Sequence, residues 1–277
     1  MERSKLKTII ILILLLVNIF LLLLVGGQLV QEHQAQRTAL TNAGLILKQN
    51  GISVSEEALS QMGSAALSAL SAVRDTQFEA ALAAALLGED AACTNQSGGL
   101  YVYTARAGTM YFRGGGEFSA DFTLPVPPDG SPRDHAAALL RTLNLSAEEV
   151  GVNETAPGHT EVTFLQTVED APVYTCSLVF SYAPEGLTSI SGTLFPSAAI
   201  SPAGASALDG ATALIRFLSG ILDSGDVCSS VTAIRPGYRM TYSFSGGITL
   251  SPVWQVSTDA SDYYLDGITG QVSRVTG

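Results

Sequence analysis

The amino-acid sequence predicts an α+β protein with one N-terminal transmembrane helix and an extracytoplasmic region of helix-plus-antiparallel-sheet units. Three observations lead to this prediction. A long apolar run opens the chain, proline-rich breaks divide the rest, and after each break a helical pattern precedes several short strand-like stretches. The composition agrees, because 47% of the 277 residues are hydrophobic and only 14% are charged, which supplies enough apolar material for a sizeable core.

The charge balance of the chain argues against nucleic acid as a partner. The sequence has 14 Lys and Arg against 25 Asp and Glu, a formal net charge of −11. Recognition of a phosphate backbone needs clustered basic side chains, whereas Lys48 is the only lysine beyond residue 7. Cys93, Cys176 and Cys228 are too few and too scattered for a disulfide scaffold or a zinc site. We expect three buried thiols, and their odd number permits one disulfide at most.

The apolar run from Ile9 to Val25 is long enough to cross a bilayer. With its flanks, residues 8–27, it would form a helix of about 30 Å. Three basic residues precede the run, and the next one, Arg37, lies well past it. The positive-inside rule therefore places residues 1–7 in the cytoplasm and the chain after residue 27 outside, anchored in the cell membrane. A cleaved signal peptide is the alternative, but the run exceeds the usual ~7–15 residues and no A-x-A-like site follows it.

Asn18 is the one polar residue inside the apolar run. Two interpretations are open. The amide either snorkels or bonds to its own helix backbone, or it hydrogen-bonds to a neighbouring helix, a contact worth about 1 kcal/mol in a membrane.

Residues 28–124 are predicted to form a stalk helix and an N-terminal α+β subdomain. Helical periodicity continues the membrane helix outward until Asn50-Gly51, a left-handed C-terminal cap. A second helix is predicted from Ser53, where Glu56 completes a capping box, and alanine and leucine dominate from there to Leu87. A small meander is then predicted from Tyr101–Thr104, Met110–Arg113 and Glu117–Phe122.

The prolines near residues 125–132 and 196–202 divide the remainder into two similar modules, residues 125–205 and 206–277. The first module opens with a helix capped by Ser131, and the second with a helix from about Ala207 to Leu218. The predicted strands are Glu161–Val168, Val173–Tyr182 and Leu187–Phe195 in the first module, and Val227–Ile234, Tyr238–Phe244, Pro252–Thr258, Tyr263–Leu265 and Gln271–Val275 in the second.

Both ends of the chain carry recognisable motifs. Residues 4–10 read S-K-L-K-T-I-I, and Asn18–Leu21 read N-I-F-L. Near the other end, Pro252–Val256 read P-V-W-Q-V and Tyr263–Gly270 read Y-Y-L-D-G-I-T-G. These motifs resemble those of the YycI-like (YycH/YycI) regulatory proteins of Gram-positive bacteria, and the closing motif is also similar to the PepSY unit. Asp266-Gly267 stands where the family usually has Asn-Ala.

The resemblance implies a single-pass accessory regulator of a membrane sensor histidine kinase, in the two-component signalling that governs cell-wall metabolism. It implies that the membrane helix makes much of the contact, usually with a YycH-like sister protein, and it implies neither an enzyme nor a cofactor. The candidate interaction residues are Asn18 and Phe20 in the span, and Trp254 and Tyr264 in the closing motif. For Trp254 two interpretations are open, a core aromatic under a helix or part of a recognition surface.

The sequence itself contains no recognised catalytic motif. No two of the three histidines are spaced for a metal, and G-x-S-x-G, H-E-x-x-H, Walker A and G-x-G-x-x-G are all missing. Asp259, Asp262 and Asp266 miss the spacing of a calcium loop, which favours a solvated turn. Glu148 and Glu149 are typical first-turn acids of a helix. A Ser/His/Asp site assembled in space, as in a hydrolase, stays an alternative.

A third function fits the closing motif. A PepSY-like module could inhibit an extracytoplasmic peptidase or assist its folding, and its active surface would then lie on the sheets around Trp254 and Tyr264. The kinase regulator and the PepSY-like module share the predicted span, so for both functions we expect residues 8–27 to contact the lipid bilayer.

Overall fold

The computed structural model describes residues 14, 18, 34–62, 67–196, 199–243 and 247–275. The predicted tail and span lie outside these ranges, apart from Leu14 and Asn18. Within the described ranges, we find no helix that combines the length and the hydropathy needed to span a membrane. The described chain is α+β, and its strands form one large, mainly antiparallel sheet.

The helices are α1 (residues 34–49), α2 (Glu56–Met62), α3 (Thr76–Leu87), α4 (Pro132–Thr142) and α5 (Gly210–Ser224). The strands are β1 (Ser53–Val54), β2 (Ser68–Val73), β3 (Ala92–Gln96), β4 (Leu100–Ala105), β5 (Gly108–Phe112), β6 (Glu117–Val126), β7 (Ala147–Ala156), β8 (His159–Val168), β9 (Ala171–Ala183), β10 (Gly186–Thr193), β11 (Ser201–Ser206), β12 (Ser230–Tyr242), β13 (Gly247–Thr258), β14 (Asp262–Asp266) and β15 (Val272–Arg274).

One arrangement, a helix followed by a four-stranded meander, occurs three times along the chain. Helix α3 precedes β3–β6, α4 precedes β7–β10, and α5 precedes β12–β15. The predicted Ser131 cap of α4 is confirmed, because the Ser131 hydroxyl accepts a hydrogen bond from the Asp134 backbone N–H at 3.1 Å, and Pro132 opens the helix. Helix α5 starts at Gly210, capped by Asp209, and is therefore displaced from the predicted bounds.

The first two units share a sheet. Strands β6 and β10, the last of each meander, pair antiparallel, which gives the order β3-β4-β5-β6-β10-β9-β8-β7. Helices α3 and α4 cover the same face of this sheet, and their apolar side chains belong to one core. The core residues with the largest buried side chains include Met110, Phe112, Leu178, Phe180 and Leu187.

The third unit takes strands and helices from the start of the chain. Strands β1 and β2 pair with β12 and β13, and α1 and α2 pack with α5 on one core. Leu40, Ala43 and Leu47 lie one helical turn apart on α1 and are buried there. The C-terminal part of α1 is therefore packed on the last unit, not exposed as a stalk.

The prediction for residues 53–87 is wrong in the start of its helix and lacks one strand. Ser53 does not start a helix, because Ser53 and Val54 pair with β12, and the cap of α2 is Ser55, whose hydroxyl accepts from the Ala58 N–H at 3.1 Å. The alanine- and leucine-rich stretch also contains a strand that the sequence pattern does not predict. Residues 68–73 form β2, since β13 offers an open edge there and long-range pairing overrides helix propensity. Cys93 is exposed, which corrects the expectation of three buried thiols.

A short parallel strand pairing joins the strands of the first two units to those of the third unit. Val173 of β9 lies beside Tyr238 of β12, and both are fully buried in a third apolar cluster with Phe195. The Tyr238 hydroxyl is buried and has no hydrogen-bond partner among the described residues. Burial, with a smaller contribution from the charge of Glu169, raises the pKa of Tyr238 to about 12.

A buried ion pair connects β2 to α3. The Arg74 guanidinium donates through Nε and Nη2 to both carboxylate oxygens of Glu79, at 2.6 Å and 3.0 Å. Its Nη1 donates to the Gly99 carbonyl at 2.7 Å, and the guanidinium carbon lies 4.8 Å from the centre of the Tyr101 ring. Glu79 is 0% exposed. Burial disfavours the charged form of Arg74 and so lowers the pKa of Arg74. The hydrogen bond to Glu79 and the charge of Glu79 outweigh this effect, and the pKa of Arg74 is raised.

Replacing Glu79 with Gln should destabilise the fold strongly, because it leaves the Arg74 guanidinium buried without its counter-charge. We expect a loss of about 3–5 kcal/mol in the free energy of unfolding, measured by urea denaturation of the full chain. The control is Glu117→Gln, which breaks the exposed pair with Arg113 at 3.1 Å and should cost at most about 0.5 kcal/mol. Equal losses in the two variants would contradict this role for Glu79.

Candidate interaction surface

Of the two candidate interaction residues in the predicted span, Asn18 lies within the described residues and Phe20 does not. The side-chain N–H of Asn18 donates to the Leu14 carbonyl oxygen at 2.9 Å. This i→i−4 hydrogen bond is the one expected if the amide bonds to its own helix. Phe20 lies outside the described residues.

Trp254 lies in the core of the third unit. It is 2% exposed and belongs to the cluster that α5 and α1 cover. Tyr263 shares this cluster, and its ring packs edge-on against Phe217 of α5 at 5.8 Å between centroids. The structure thus favours the interpretation of Trp254 as a core aromatic beneath the helix.

Tyr264 lies on the opposite face of the same sheet, because side chains alternate along a strand. Its ring is half-buried and packs 5.3 Å from the ring of Tyr174 on β9. The guanidinium of Arg239 on β12 lies 5.4 Å from the centre of the Tyr264 ring, within the range of a cation–π contact. Arg235 lies two pleats before Arg239 on the same face. We call these four residues the tyrosine–arginine surface.

A glycine makes room for Tyr174 on this surface. Gly237 lies between the two arginines on β12, and a Cβ there would collide with the Tyr174 ring and stand 2.6 Å from the Pro172 carbonyl oxygen. The Tyr174 hydroxyl donates to the Arg235 carbonyl at 3.1 Å. The ring is thereby held flat across the parallel junction between β9 and β12.

The two arginines are in different electrostatic states. Arg235 pairs with Glu148 of β7 at 3.0 Å, and both side chains are partly exposed. Glu148 therefore lies on a strand, and the prediction that Glu148 and Glu149 begin a helix is wrong. Arg239 is exposed, and among the described residues no carboxylate lies within ion-pair distance of it.

Both tyrosines stay neutral at physiological pH. Burial raises the pKa of Tyr264, an effect that the neighbouring Arg239 opposes. Burial also raises the pKa of Tyr174, again against a nearby arginine, Arg235. The surface thus combines neutral aromatic rings with a cation that is free to bind a carboxylate, and tyrosine and arginine are the residue types enriched in protein-interface hot spots.

The closing motif of the sequence indicates Tyr264 but not its three neighbours on the surface. The alternation of Arg235, Gly237 and Arg239 along β12 places them on one face, and this signal was available in the sequence. Nothing local indicated Tyr174, which reaches the surface through the long-range contact between β9 and β12.

The aspartates near the C-terminus do not form a cluster. Asp259 accepts hydrogen bonds from the hydroxyl and backbone N–H of Ser229 and from the Ser230 N–H, and these bonds lower its pKa to about 2. Asp266 accepts from the N–H groups of the turn that follows it. In the described ranges, no three His, Cys, Asp or Glu side chains converge as metal ligands.

No protein-family model and no curated protein matches the sequence. An uncharacterized protein from Eubacterium rectale ATCC 33656 is 12% identical with a TM-score of 0.48, over 76% of this chain and 87% of its own. The Bacillus megaterium YpeB C-terminal domain is 11% identical with a TM-score of 0.38, over 74% of this chain and 100% of its own. Both TM-scores are below 0.5.

Gly237→Ala should disturb the tyrosine–arginine surface, because the added methyl group and the Tyr174 ring cannot occupy the same space. We expect a loss of about 1–3 kcal/mol in unfolding free energy and a displaced Tyr174 ring, detected by NMR of the tyrosine side chains. Gly151→Ala is the matched control, since a Cβ at Gly151 of β7 meets nothing within 4 Å. A Gly237→Ala spectrum identical to that of the parent would refute this packing.

Proposed function

We propose that this protein is a membrane-anchored extracytoplasmic accessory regulator of a sensor histidine kinase, which acts through contacts of its membrane helix and its outer region. The main support for a partner contact through the outer region is the tyrosine–arginine surface. Arg239 is exposed there beside two neutral tyrosine rings, on a chain whose net charge is −11. A local cation of this kind favours an acidic segment of a partner protein.

The packing of α1 supports a link between the surface and the span. Helix α1 follows the predicted span in the chain and buries Leu40, Ala43 and Leu47 against the third unit. Trp254 and Tyr263 lie in the same core, and Tyr264 lies on the other face of their sheet. A partner bound at the surface would therefore be one sheet away from the helix that leads to the membrane. A coupling of about 1–3 kcal/mol between the two states of the kinase suffices for regulation.

A PepSY-like inhibitor or folding partner of an extracytoplasmic peptidase is the second candidate. The closing motif places Tyr264 on an accessible face of the sheet, and this surface does not depend on the span for its construction. In this case the outer region alone would bind the target.

The deciding experiment is co-purification of the full-length protein from gently solubilised membranes. Four proteins are compared: the parent, a form with residues 8–27 scrambled, the double variant Tyr264→Ala/Arg239→Ala, and the control Tyr111→Ala/Arg106→Ala. The control removes an exposed tyrosine and an exposed arginine from the meander of the first unit.

For the kinase regulator, a histidine kinase should co-purify with the parent and the control, be lost with the scrambled span, and be reduced about tenfold or more with the surface variant. Recovery of a peptidase with both the parent and the scrambled span would replace this proposal with the second candidate. Unchanged recovery of the kinase with the scrambled span would refute the membrane contact.

A further inference from the structure

A cleft away from the tyrosine–arginine surface lies between α3 and the end of α4. It has a volume of about 550 Å³, and its apolar lining residues include Phe78 and Leu82 of α3 and Phe195 after β10. This volume is within the range of small-ligand sites, about 300–1,000 Å³. The cleft lies where the first two units meet the segment that leads to the third.

Neutral polar groups also line the cleft. Asn144 ends the turn after α4, and Gln166 of β8 is buried, with its side-chain oxygen accepting from the Phe195 N–H at 2.7 Å. Amides and hydroxyls of this kind bond readily to peptide backbone. The further polar residues that line the cleft are Thr142, Ser146 and Thr167.

The charge at the cleft is negative. Glu169 lines it, Asp170 follows directly, and no Lys or Arg is among the lining residues of the described chain. The charge of Glu169 also acts on a buried group. Burial is the main cause of the raised pKa of Tyr238, and the charge of Glu169 is the second cause. Within the described part of the chain the Tyr238 hydroxyl has no hydrogen-bond partner, and Tyr238 is packed in the same cluster as Phe195.

The backbone around the cleft is strained. Asn144, Glu169 and Asp170 have φ angles of +54°, +49° and +62°, and they are the non-glycine residues with positive φ in the described ranges. Two of them line the cleft and the third adjoins it. Strained backbone tends to concentrate at functional sites.

We propose that this cleft binds a short apolar peptide segment that carries a positive charge. The apolar lining residues of α3 contact the aliphatic side chain, the polar lining residues bond to the peptide backbone, and the Glu169 carboxylate pairs with the ammonium or guanidinium group. This site does not depend on the function proposed above.

The test uses the full-length protein and two synthetic peptides, Lys-Ala-Leu-Leu amide and its acetylated counterpart with Gln in place of Lys. Binding is followed by NMR chemical shifts and by calorimetry. Ala85→Trp fills the cleft from the exposed side of α3, and Ala80→Trp places the same side chain on α3 away from the lining residues. Glu169→Gln removes the charge and keeps the size of the side chain.

We expect the Lys peptide to shift resonances of the cleft and to bind about tenfold more tightly than the Gln peptide. Glu169→Gln should abolish this preference, Ala85→Trp should abolish binding, and Ala80→Trp should change neither. Absence of cleft shifts with the Lys peptide at millimolar concentration would overturn the proposal. Equal affinity for the two peptides in the parent, or a preference that survives Glu169→Gln, would also overturn it.

Discussion

The buried ion pair between Arg74 and Glu79 is the contact on which the arrangement of the units depends. Arg74 directly follows β2, a strand of the third unit, and Glu79 lies on α3, the helix of the first unit. The same guanidinium holds the β3–β4 turn through the Gly99 carbonyl. Because a guanidinium has five donors in a fixed plane, one side chain determines the relative position of three segments. An apolar contact would not impose this geometry.

The second constraint is the parallel junction between β9 and β12. A hydrogen-bonded sheet continues across it, so the two parts of the molecule share a backbone network as well as a core. Tyr238 fills the core side, and Tyr174 lies across Gly237 on the other side. The tyrosine–arginine surface therefore forms only where the second and third units meet, and its geometry depends on how they pack together. The cleft at α3 and α4 likewise requires more than one unit.

Much of the local structure was predictable, because its signals lie within a few residues. The Ser131 cap predicted the start of α4, and the strand predicted at Tyr263–Leu265 lies within β14. The prediction failed where local propensity and long-range pairing disagree. Residues 68–73 resemble a helix in composition but form β2 beside β13, and Glu148 resembles a helix start but lies in β7 beside β8.

By itself, the sequence determined the α+β class, the acidic charge and local signals such as the Ser131 cap of α4. These properties depend on periodicity and on backbone preferences, which are local. The tertiary structure decided that α3 and β3–β6 form a third copy of the helix-plus-meander arrangement, that Trp254 is internal, and that Tyr174 meets Tyr264 and Arg239. Those contacts join distant segments whose pairing has no local signature, because any open strand edge of suitable register can accept another strand.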